Sequence, residues 1–294
     1  MKMFIAAGIF IFLLTSLAIA QKRERFSFSV SLNHFFLVLD SATYADIESN
    51  QFLQTEFAIF ERRTTVRTDR TYTGLYFYGI NTYFEFLNVA DEAQGRVGDS
   101  GIAFGVERPG ALQMLHTRLL SEAPKVVTRQ IDNKQVPWFF AIAPSEFPSE
   151  SAISTWFMEY HPRFLSEWHP EADGSNQGIR RRQILKRYAA TLKNIPHRPY
   201  LQDVTGLTVA ADKLAITKMT KMCELLGYSA RIDGEATILK GHDLILRLIP
   251  ETTDMRGIQQ VTFHVRREPE RKVLHFGLRS ILRFNGNGTA TWSF

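Results

Sequence analysis

The feature that most constrains this chain is an order of strands and a helix that recurs along its 294 residues. Residues 32–39 have the pattern of a buried strand, Asp40 suits a helix N-cap, and two aromatic strands follow the helix within 71–89. A second round of strand, helix and strands occupies residues 101–160. Recurrence of one unit predicts a fold assembled from similar modules.

A third unit follows a polar linker. The linker, 166–199, contains a basic helix opened by Arg180-Arg181-Arg182, whose charges we expect on a solvated helix face. Beyond it come a strand near 207–209, a helix over 212–226 and three or four strands, the last over 273–284. We predict an α+β fold of repeated β-α-β-β-β modules with curved mixed sheets. Its predicted parts are a domain of two paired modules over 21–165, the linker, and a single third module over 200–294.

Residues 1–20 have the order of a secretory signal peptide: a basic start at Lys2, a short apolar run and an Ala-x-Ala step that ends at Ala20. Cleavage after Ala20 predicts a secreted or periplasmic protein. The apolar run is short for a membrane span, and no other stretch approaches spanning length. We therefore expect no stable membrane insertion after cleavage, with an uncleaved N-terminal anchor as the alternative.

Composition excludes several function classes. With 45% apolar residues the chain is not a disordered tail, and a formal net charge of +5 gives little support for nucleic-acid binding. The one cysteine, Cys223, cannot form an intramolecular disulfide, and we expect it to be a buried thiol. The sequence contains no Walker loop, dinucleotide glycine fingerprint, His-Glu-x-x-His motif or Gly-x-Ser-x-Gly motif.

Four segments resemble the glyoxalase, bleomycin-resistance and dioxygenase superfamily, which has the vicinal oxygen chelate fold. They are Leu-Asn-His-Phe-Phe-Leu-Val-Leu-Asp at 32–40, Tyr-Phe-Glu-Phe-Leu at 83–87, Gly-Ile-Ala-Phe-Gly-Val-Glu at 101–107 and Trp-Phe-Met-Glu-Tyr-His-Pro at 156–162. More narrowly, the chain resembles an exported glyoxalase-like branch known as a domain of unknown function. The likeness covers roughly residues 26–165 and is vaguer over 201–294.

The resemblance implies a cupped sheet around one site, with metal ligands on the first and last strands of each module. The matching positions are His34 and Glu85 in the first module and Gly101 and Glu159 in the second, at similar intervals. Gly101 departs from the family pattern, because many members carry a metal-binding His there. His161 lies two residues beyond Glu159, on the face that we expect Glu159 to share. The implied metal ligands are therefore His34, Glu85, Glu159 and His161, for Zn, Mn, Ni or Fe.

Glu85 and Glu159 are also the candidate catalytic bases, since burial that raises the pKa of a carboxyl group suits it to proton transfer. Alternation places Glu85 on the face opposite Phe84 and Phe86. The alternative is structural: His34 as a hydrogen-bonded core histidine and Glu85 on an outer sheet face. Aromatic residues on the strands are expected to line the cup, and the ligand-binding candidates are Phe35, Tyr76, Tyr83, Phe104 and Trp156.

These residues support two function hypotheses of different classes. One is an exported protein that binds a small aromatic or amphiphilic molecule in the cup, which Gly101 favours because a metal ligand is missing. The other is a metal-dependent lyase, isomerase or dioxygenase of glyoxalase type, so the sequence leaves open whether the protein is an enzyme. A structural module without a ligand is a third alternative. An odd third module would leave one face unpaired, and we therefore expect it to pack either on the first domain or on a second copy of the chain in a homodimer.

Overall fold

The computed structural model describes residues 29–91, 95–119, 121–144, 151–164, 179–192, 195–270 and 272–294. The predicted signal peptide and residues 166–178 and 193–194 of the polar linker lie outside these ranges. Within them, helices long and apolar enough to cross a membrane are absent.

The first sheet contains two β-α-β-β-β modules. The first module comprises β1 (Val30–Leu39), α1 (Ser41–Ser49), a π-helical turn (Leu53–Phe57), β2 (Ile59–Val66), β3 (Thr71–Tyr78) and β4 (Tyr83–Asn88). The second comprises β5 (Ser100–Val106), α2 (Ala111–Leu119), β6 (Lys125–Ile131), β7 (Lys134–Ile142) and β8 (Ile153–Tyr160). The strand order is β2-β3-β4-β1-β5-β8-β7-β6, with β1 parallel to β4 and β5 parallel to β8. Each helical connection supplies the length that a parallel pairing needs.

The second sheet has eight strands and an associated helix, where the sequence predicted a single module. Its elements are β9 (Leu201–Ala211), α4 (Lys213–Leu225), β10 (Ser229–Asp233), β11 (Ala236–Lys240), β12 (Ile245–Pro250), β13 (Gly257–Val265), β14 (Val273–Phe276), β15 (Ser280–Phe284) and β16 (Thr289–Ser293). The strand order is β10-β11-β12-β9-β13-β16-β15-β14. The first half, β9 to β12, repeats the β-α-β-β-β order with β9 parallel to β12.

The second half, β13 to β16, departs from that order. The connection from β13 to β14 has no helix in its described residues, and β13 pairs antiparallel with β16. A connection of about seven residues is too short for the crossover that a parallel pair requires. The predicted single strand over 273–284 is wrong, because it is a hairpin that turns at Gly277, whose φ is 55°. The odd module on which the expected homodimer rested is therefore paired within the chain.

Local signals at helix starts and turns are confirmed. Asp40 caps α1 by accepting a hydrogen bond from the Thr43 backbone N–H at 2.9 Å. Asp212 caps α4 in the same way through Ala215, at 2.8 Å. Both aspartates directly follow the first strand of a module, so one capping device begins both helices.

The two sheets pack face to face around an aromatic core. Phe84 lies 5.4 Å from Phe263, and Phe86 lies 5.1 Å from Trp292, between ring centroids. Aromatic pairs at these separations add stability beyond the apolar area they bury. Helices α1, α2 and α4 contribute to the same core. Cys223 on α4 is buried there, and burial raises the pKa of its thiol, as expected for a structural cysteine.

Helix α3 (Arg181–Ala190) covers part of the opposite face of the first sheet. Its Tyr188 ring stacks on Tyr78 at 5.4 Å, while Ile184 and Leu185 are buried beside it. The predicted basic helix is thus confirmed, but its charges are not all solvated. Arg181 is largely buried, and its guanidinium bonds to the Leu32 carbonyl and to carboxylates of both halves of the chain.

Candidate functional site

A cavity of about 270 Å³ lies on the face of the first sheet that is partly covered by α3. Its aromatic walls come from Phe36, Tyr72, Trp138, Phe139 and Trp156, and its polar groups from His34, Glu85, Arg67, Arg70 and Ser154. Alternation along β1 explains which of its side chains face the cavity and which face the core. His34 and Phe36 line the cavity, whereas Phe35 and Leu37 belong to the core between the sheets.

His34 is buried at the floor of this cavity. A register shift at Asn33 bulges β1 and places the Asn33 side chain beside the His34 ring. The Asn33 Oδ1 atom lies 2.9 Å from His34 Nδ1 and also accepts a hydrogen bond from the Tyr160 hydroxyl at 3.4 Å. Nδ1 therefore acts as a donor, which leaves Nε2 as an acceptor. Burial lowers the pKa of His34 to about 3, so the ring is neutral at physiological pH.

Glu85 lies beside His34, with 3.9 Å between Glu85 Oε1 and His34 Nε2. The parallel register of β1 and β4 pairs Phe36 with Glu85 and brings the carboxyl group to the cavity face, as alternation predicted. Burial raises the pKa of Glu85 to about 7, against the opposing effects of the Arg63 charge and the Tyr76 and Tyr83 hydroxyls. Both protonation states of this carboxyl group are therefore accessible near neutral pH.

Arg63 is a buried cation beside the site that sequence reasoning missed. Its guanidinium carbon lies 3.9 Å from the Tyr76 ring centroid, and it donates to the Tyr78 hydroxyl at 2.8 Å and to Glu61 at 3.0 Å. The Tyr76 ring, the Tyr78 hydroxyl and the Glu61 carboxylate offset the free-energy cost of burying the Arg63 charge. The alternation of side chains along β2 was the available signal for the burial of Arg63.

Glu159 does not join His34 and Glu85. Its carboxylate accepts hydrogen bonds from the backbone N–H groups of Gly110 at 2.8 Å and Leu112 at 3.0 Å, at the start of α2. It lies on the same face of β8 as Phe157 in the core, whereas Trp156 faces the cavity. The expectation of a ligand or base at this position is corrected to a helix cap.

His161 is also outside the cavity lining. Strand β8 ends at Tyr160, so the alternation that would have continued to His161 stops one residue before it. The His161 ring lies 4.9 Å from Phe140, and its backbone N–H donates to the Trp138 carbonyl at 3.0 Å. The expected face shared with Glu159 therefore ends with the strand.

Strand register identifies what replaces the second pair of metal ligands. If Gly101 corresponds to His34, as the resemblance implies, then Ala103 corresponds to Phe36. Trp156, which pairs with Ala103, then corresponds to Glu85, which pairs with Phe36. A Cβ atom at Gly101 would clash with the Phe36 ring and lie 2.7 Å from Trp156 Cζ3. Two aromatic rings thus fill the space that a ligand side chain at position 101 would need.

The donor set does not fit the expected divalent metal. A protein zinc site uses three or four protein ligands, and His34 with Glu85 supplies two. Among the described residues, His, Cys, Asp and Glu side chains form no group of three that could hold an ion. The expected set of His34, Glu85, Glu159 and His161 for Zn, Mn, Ni or Fe is not assembled.

The aromatic residues expected to bind a ligand lie on two different faces of the first sheet. Trp156 lines the cavity, Tyr83 stacks on the His34 ring at 4.4 Å, and Tyr76 packs against Arg63 behind the floor. Phe35 and Phe104 are wrong as ligand-binding residues, because they are fully buried between the sheets. The basic pair Arg67 and Arg70 was missed, since a loop residue carries no periodic signal of the face it joins.

The two curved mixed sheets, the first built from two β-α-β-β-β modules and the second beginning with one, make this an α+β protein, which confirms the predicted α+β class of repeated modules. The chain belongs to a family of unknown function, DUF5829, whose model matches residues 32–294. Curated proteins include no match to the sequence.

Several solved structures are similar at low identity. A hypothetical protein from Staphylococcus aureus is 12% identical with a TM-score of 0.45, over 78% of this chain and 88% of that chain. A xylose isomerase-like TIM barrel/4-hydroxyphenylpyruvate dioxygenase fusion protein is 12% identical with a TM-score of 0.44, over 82% of this chain and 37% of that chain. A mutant of 4-hydroxymandelate synthase from Streptomyces coelicolor is 11% identical with a TM-score of 0.41, over 79% and 70%.

Proposed function

We propose that this protein is an exported binding protein that holds a small ring-bearing molecule in the cup of its first sheet without a metal ion. The observation that carries the proposal is the replacement of half the expected ligand set by Gly101 and Trp156, in a cavity of about 270 Å³. That cavity keeps aromatic walls and a few polar groups, which is the composition of small-molecule sites.

The cavity chemistry supports a flat, partly apolar molecule. Trp138, Trp156 and Phe36 offer ring faces for stacking, which favours planar ligands. His34 Nε2 and Glu85 Oε1 offer hydrogen-bond acceptors at the floor, and Arg67 and Arg70 offer positive charge. A molecule that satisfied these groups would be held by orientation-specific contacts as well as by apolar burial.

A panel of single-ring and two-ring compounds tests this proposal by native mass spectrometry and titration calorimetry on the mature protein. We expect one molecule to bind per chain. Ser154→Phe, at an exposed cavity position, should weaken binding about tenfold by filling the cup, whereas Ser229→Phe on β10 should leave it unchanged. Absence of binding by every compound of the panel, or equal binding by the Ser154→Phe variant, would overturn the proposal.

Export is the second part of the proposal, and it rests on the leader at residues 1–20. N-terminal sequencing of the protein recovered from its native source is expected to begin at Gln21, from the periplasm or the medium. A chain that retains Met1 in the cytoplasm would contradict export and leave the cup proposal intact.

The second candidate function is a metal-dependent enzyme of glyoxalase type, and the proximity of His34 and Glu85 favours it. Titration of the metal-free protein with Zn, Mn, Ni and Fe separates the two. We expect no tight binding that requires both side chains. One ion per chain, lost in both His34→Ala and Glu85→Gln, would replace the binding proposal with this one.

A further inference from the structure

We infer that the molecule held in the cup is a small planar organic acid whose acid group lies at the rim, on Arg70, with its ring inside and a hydrogen-bond donor at the far end. This inference rests on the proposed function and adds the ligand's chemical class and its direction of entry. Three observations carry it, one each at the rim, the wall and the floor of the cavity.

At the rim, Arg70 offers an uncommitted positive charge. Its guanidinium carbon lies 5.1 Å from the Tyr72 ring centroid, and both residues line the cavity. Arg67, beside it, already forms a two-pronged ion pair with Asp69, with both N–O distances at 2.8 Å. Across the described part of the chain, carboxylates form no comparable pair with Arg70. A ligand anion is the partner that this guanidinium lacks.

In the wall, Trp138 contributes its indole ring to the cavity lining. Its Nε1 atom is inaccessible to water and finds no hydrogen-bond acceptor among the described residues. An atom closed to water cannot meet a ligand in the cavity, so Trp138 contacts the ligand by stacking and not by a hydrogen bond. Arg129, 5.0 Å from the Trp138 ring centroid, adds positive charge behind this wall.

At the floor, the acceptor nitrogen of His34 faces the carboxyl group of Glu85 and disfavours a ligand acid group. Asn33 and Tyr160 orient the His34 ring so that Nε2 presents a lone pair, and Glu85 Oε1 lies 3.9 Å from it. A carboxylate placed there would meet the lone pair of His34 Nε2 and a second carboxyl group, whereas a hydroxyl group would donate to Nε2 in either protonation state of Glu85. The floor therefore fixes the direction of the ligand, with its acid group away from His34 and Glu85.

Matched probes test the inference by titration calorimetry. The probes are 4-hydroxycinnamate, its uncharged methyl ester, and cinnamate, which lacks the hydroxyl donor. We expect 4-hydroxycinnamate to bind about tenfold more tightly than the ester and more tightly than cinnamate, because the charged and donor contacts add to the same stacking.

Variants assign the contacts. Arg70→Gln should weaken binding of 4-hydroxycinnamate about tenfold and leave the ester unchanged. Trp138→Phe, which leaves a smaller ring for stacking, should weaken the acid and the ester alike. The control is Arg62→Gln, an exposed arginine of β2 that is paired with Glu48.

The outcomes separate this inference from the proposed function. Equal binding of acid and ester, or an acid affinity unchanged in Arg70→Gln, would overturn the inference while the Ser154→Phe block still supported binding in the cup. Absence of binding by all three probes would also overturn it. The proposed function would fail only if the neutral ring panel were silent as well.

Discussion

At the scale of single residues, His34 and Glu85 share one buried corner, and burial disfavours the charged form of both. The pKa of His34 falls to about 3, so its neutral form stabilises the fold above about pH 6.5, and that contribution is lost as the pH falls through 3. The pKa of Glu85 rises to about 7, so its protonated form stabilises the fold below about pH 4.5. That contribution is lost as the pH rises through 7.

Glu85→Gln removes the titration of this buried carboxyl group and replaces it with a neutral side chain of similar shape. Relative to the variant, the wild-type free energy of unfolding should fall between pH 4.5 and 7 by up to about 3 kcal/mol. Urea denaturation at pH 5 and pH 8 measures the difference. The exposed Glu235→Gln serves as the control, and a stability gap independent of pH would contradict the shift.

Gly101 is the residue that lets two aromatic rings occupy half of the expected ligand set. Gly101→Ala should destabilise the fold by about 1–3 kcal/mol, because its Cβ would displace Phe36 or Trp156 in a packed wall. Thermal unfolding monitors the loss. Gly206→Ala in β9, whose Cβ would lie 3.2 Å from a Thr262 side-chain atom, should cost less. An equal loss at both glycines would argue against the packed wall.

At the scale of elements, alternation along β8 places Trp156 and Glu159, three residues apart in sequence, on opposite faces of the first sheet. Trp156 belongs to the cavity and Glu159 to the start of α2, so one strand serves the ligand site with one face and a helix with the other. Buried carboxylates are costly unless they are bonded, and the two N–H groups of α2 supply those bonds. The same bonds satisfy donors that the first turn of α2 cannot satisfy internally.

Glu159→Ala should therefore act on stability and leave binding in the cup unchanged. We expect a loss of about 1–3 kcal/mol, because the buried Leu112 N–H and the part-buried Gly110 N–H lose their acceptor. Denaturant unfolding measures this loss, and the probe affinities of the folded variant measure the site. A variant of normal stability that failed to bind would restore Glu159 to the site.

At the scale of the whole molecule, the two sheets share one aromatic core, and α3 joins them on another side. Arg181 bonds to Glu107 beyond β5 at 3.1 Å and to Asp243 between β11 and β12 at 3.3 Å. Asp243 also accepts from the Leu32 backbone N–H at 3.1 Å. This ion-pair cluster connects the cup to the second sheet.

Arg181→Met should destabilise the junction, since it leaves Glu107 and Asp243 without their shared partner. We expect a loss of about 2–3 kcal/mol and faster hydrogen exchange across α3. Arg182→Met, at the exposed neighbouring position, is the matched control. Equal effects of the two variants would show that the helix is held by its apolar face alone.

Much of the fold could be predicted from local patterns. The pattern of a buried strand indicated β1, aromatic strand patterns indicated β3 and β4, and Asp40 marked the start of α1. His34 and Glu85 were correctly expected to face one side of one sheet. In the second sheet, the missing helix after β13 left no recurring unit to recognise, so one module was predicted where eight strands exist.

Apart from β2, the sequence by itself determined where most strands and the first helix cap of the first two modules lie, because those features depend on neighbouring residues. Only the tertiary structure decided which face of β8 points into the cup and which rings replace the second half of the ligand set. Strand pairing makes that choice, and a shift of one residue sends every side chain to the other face. Trp156 and Glu159 lie on opposite faces of β8 for this reason. Arg70 lies at the cavity rim in a loop, where no repeating side-chain pattern predicts which face a residue joins.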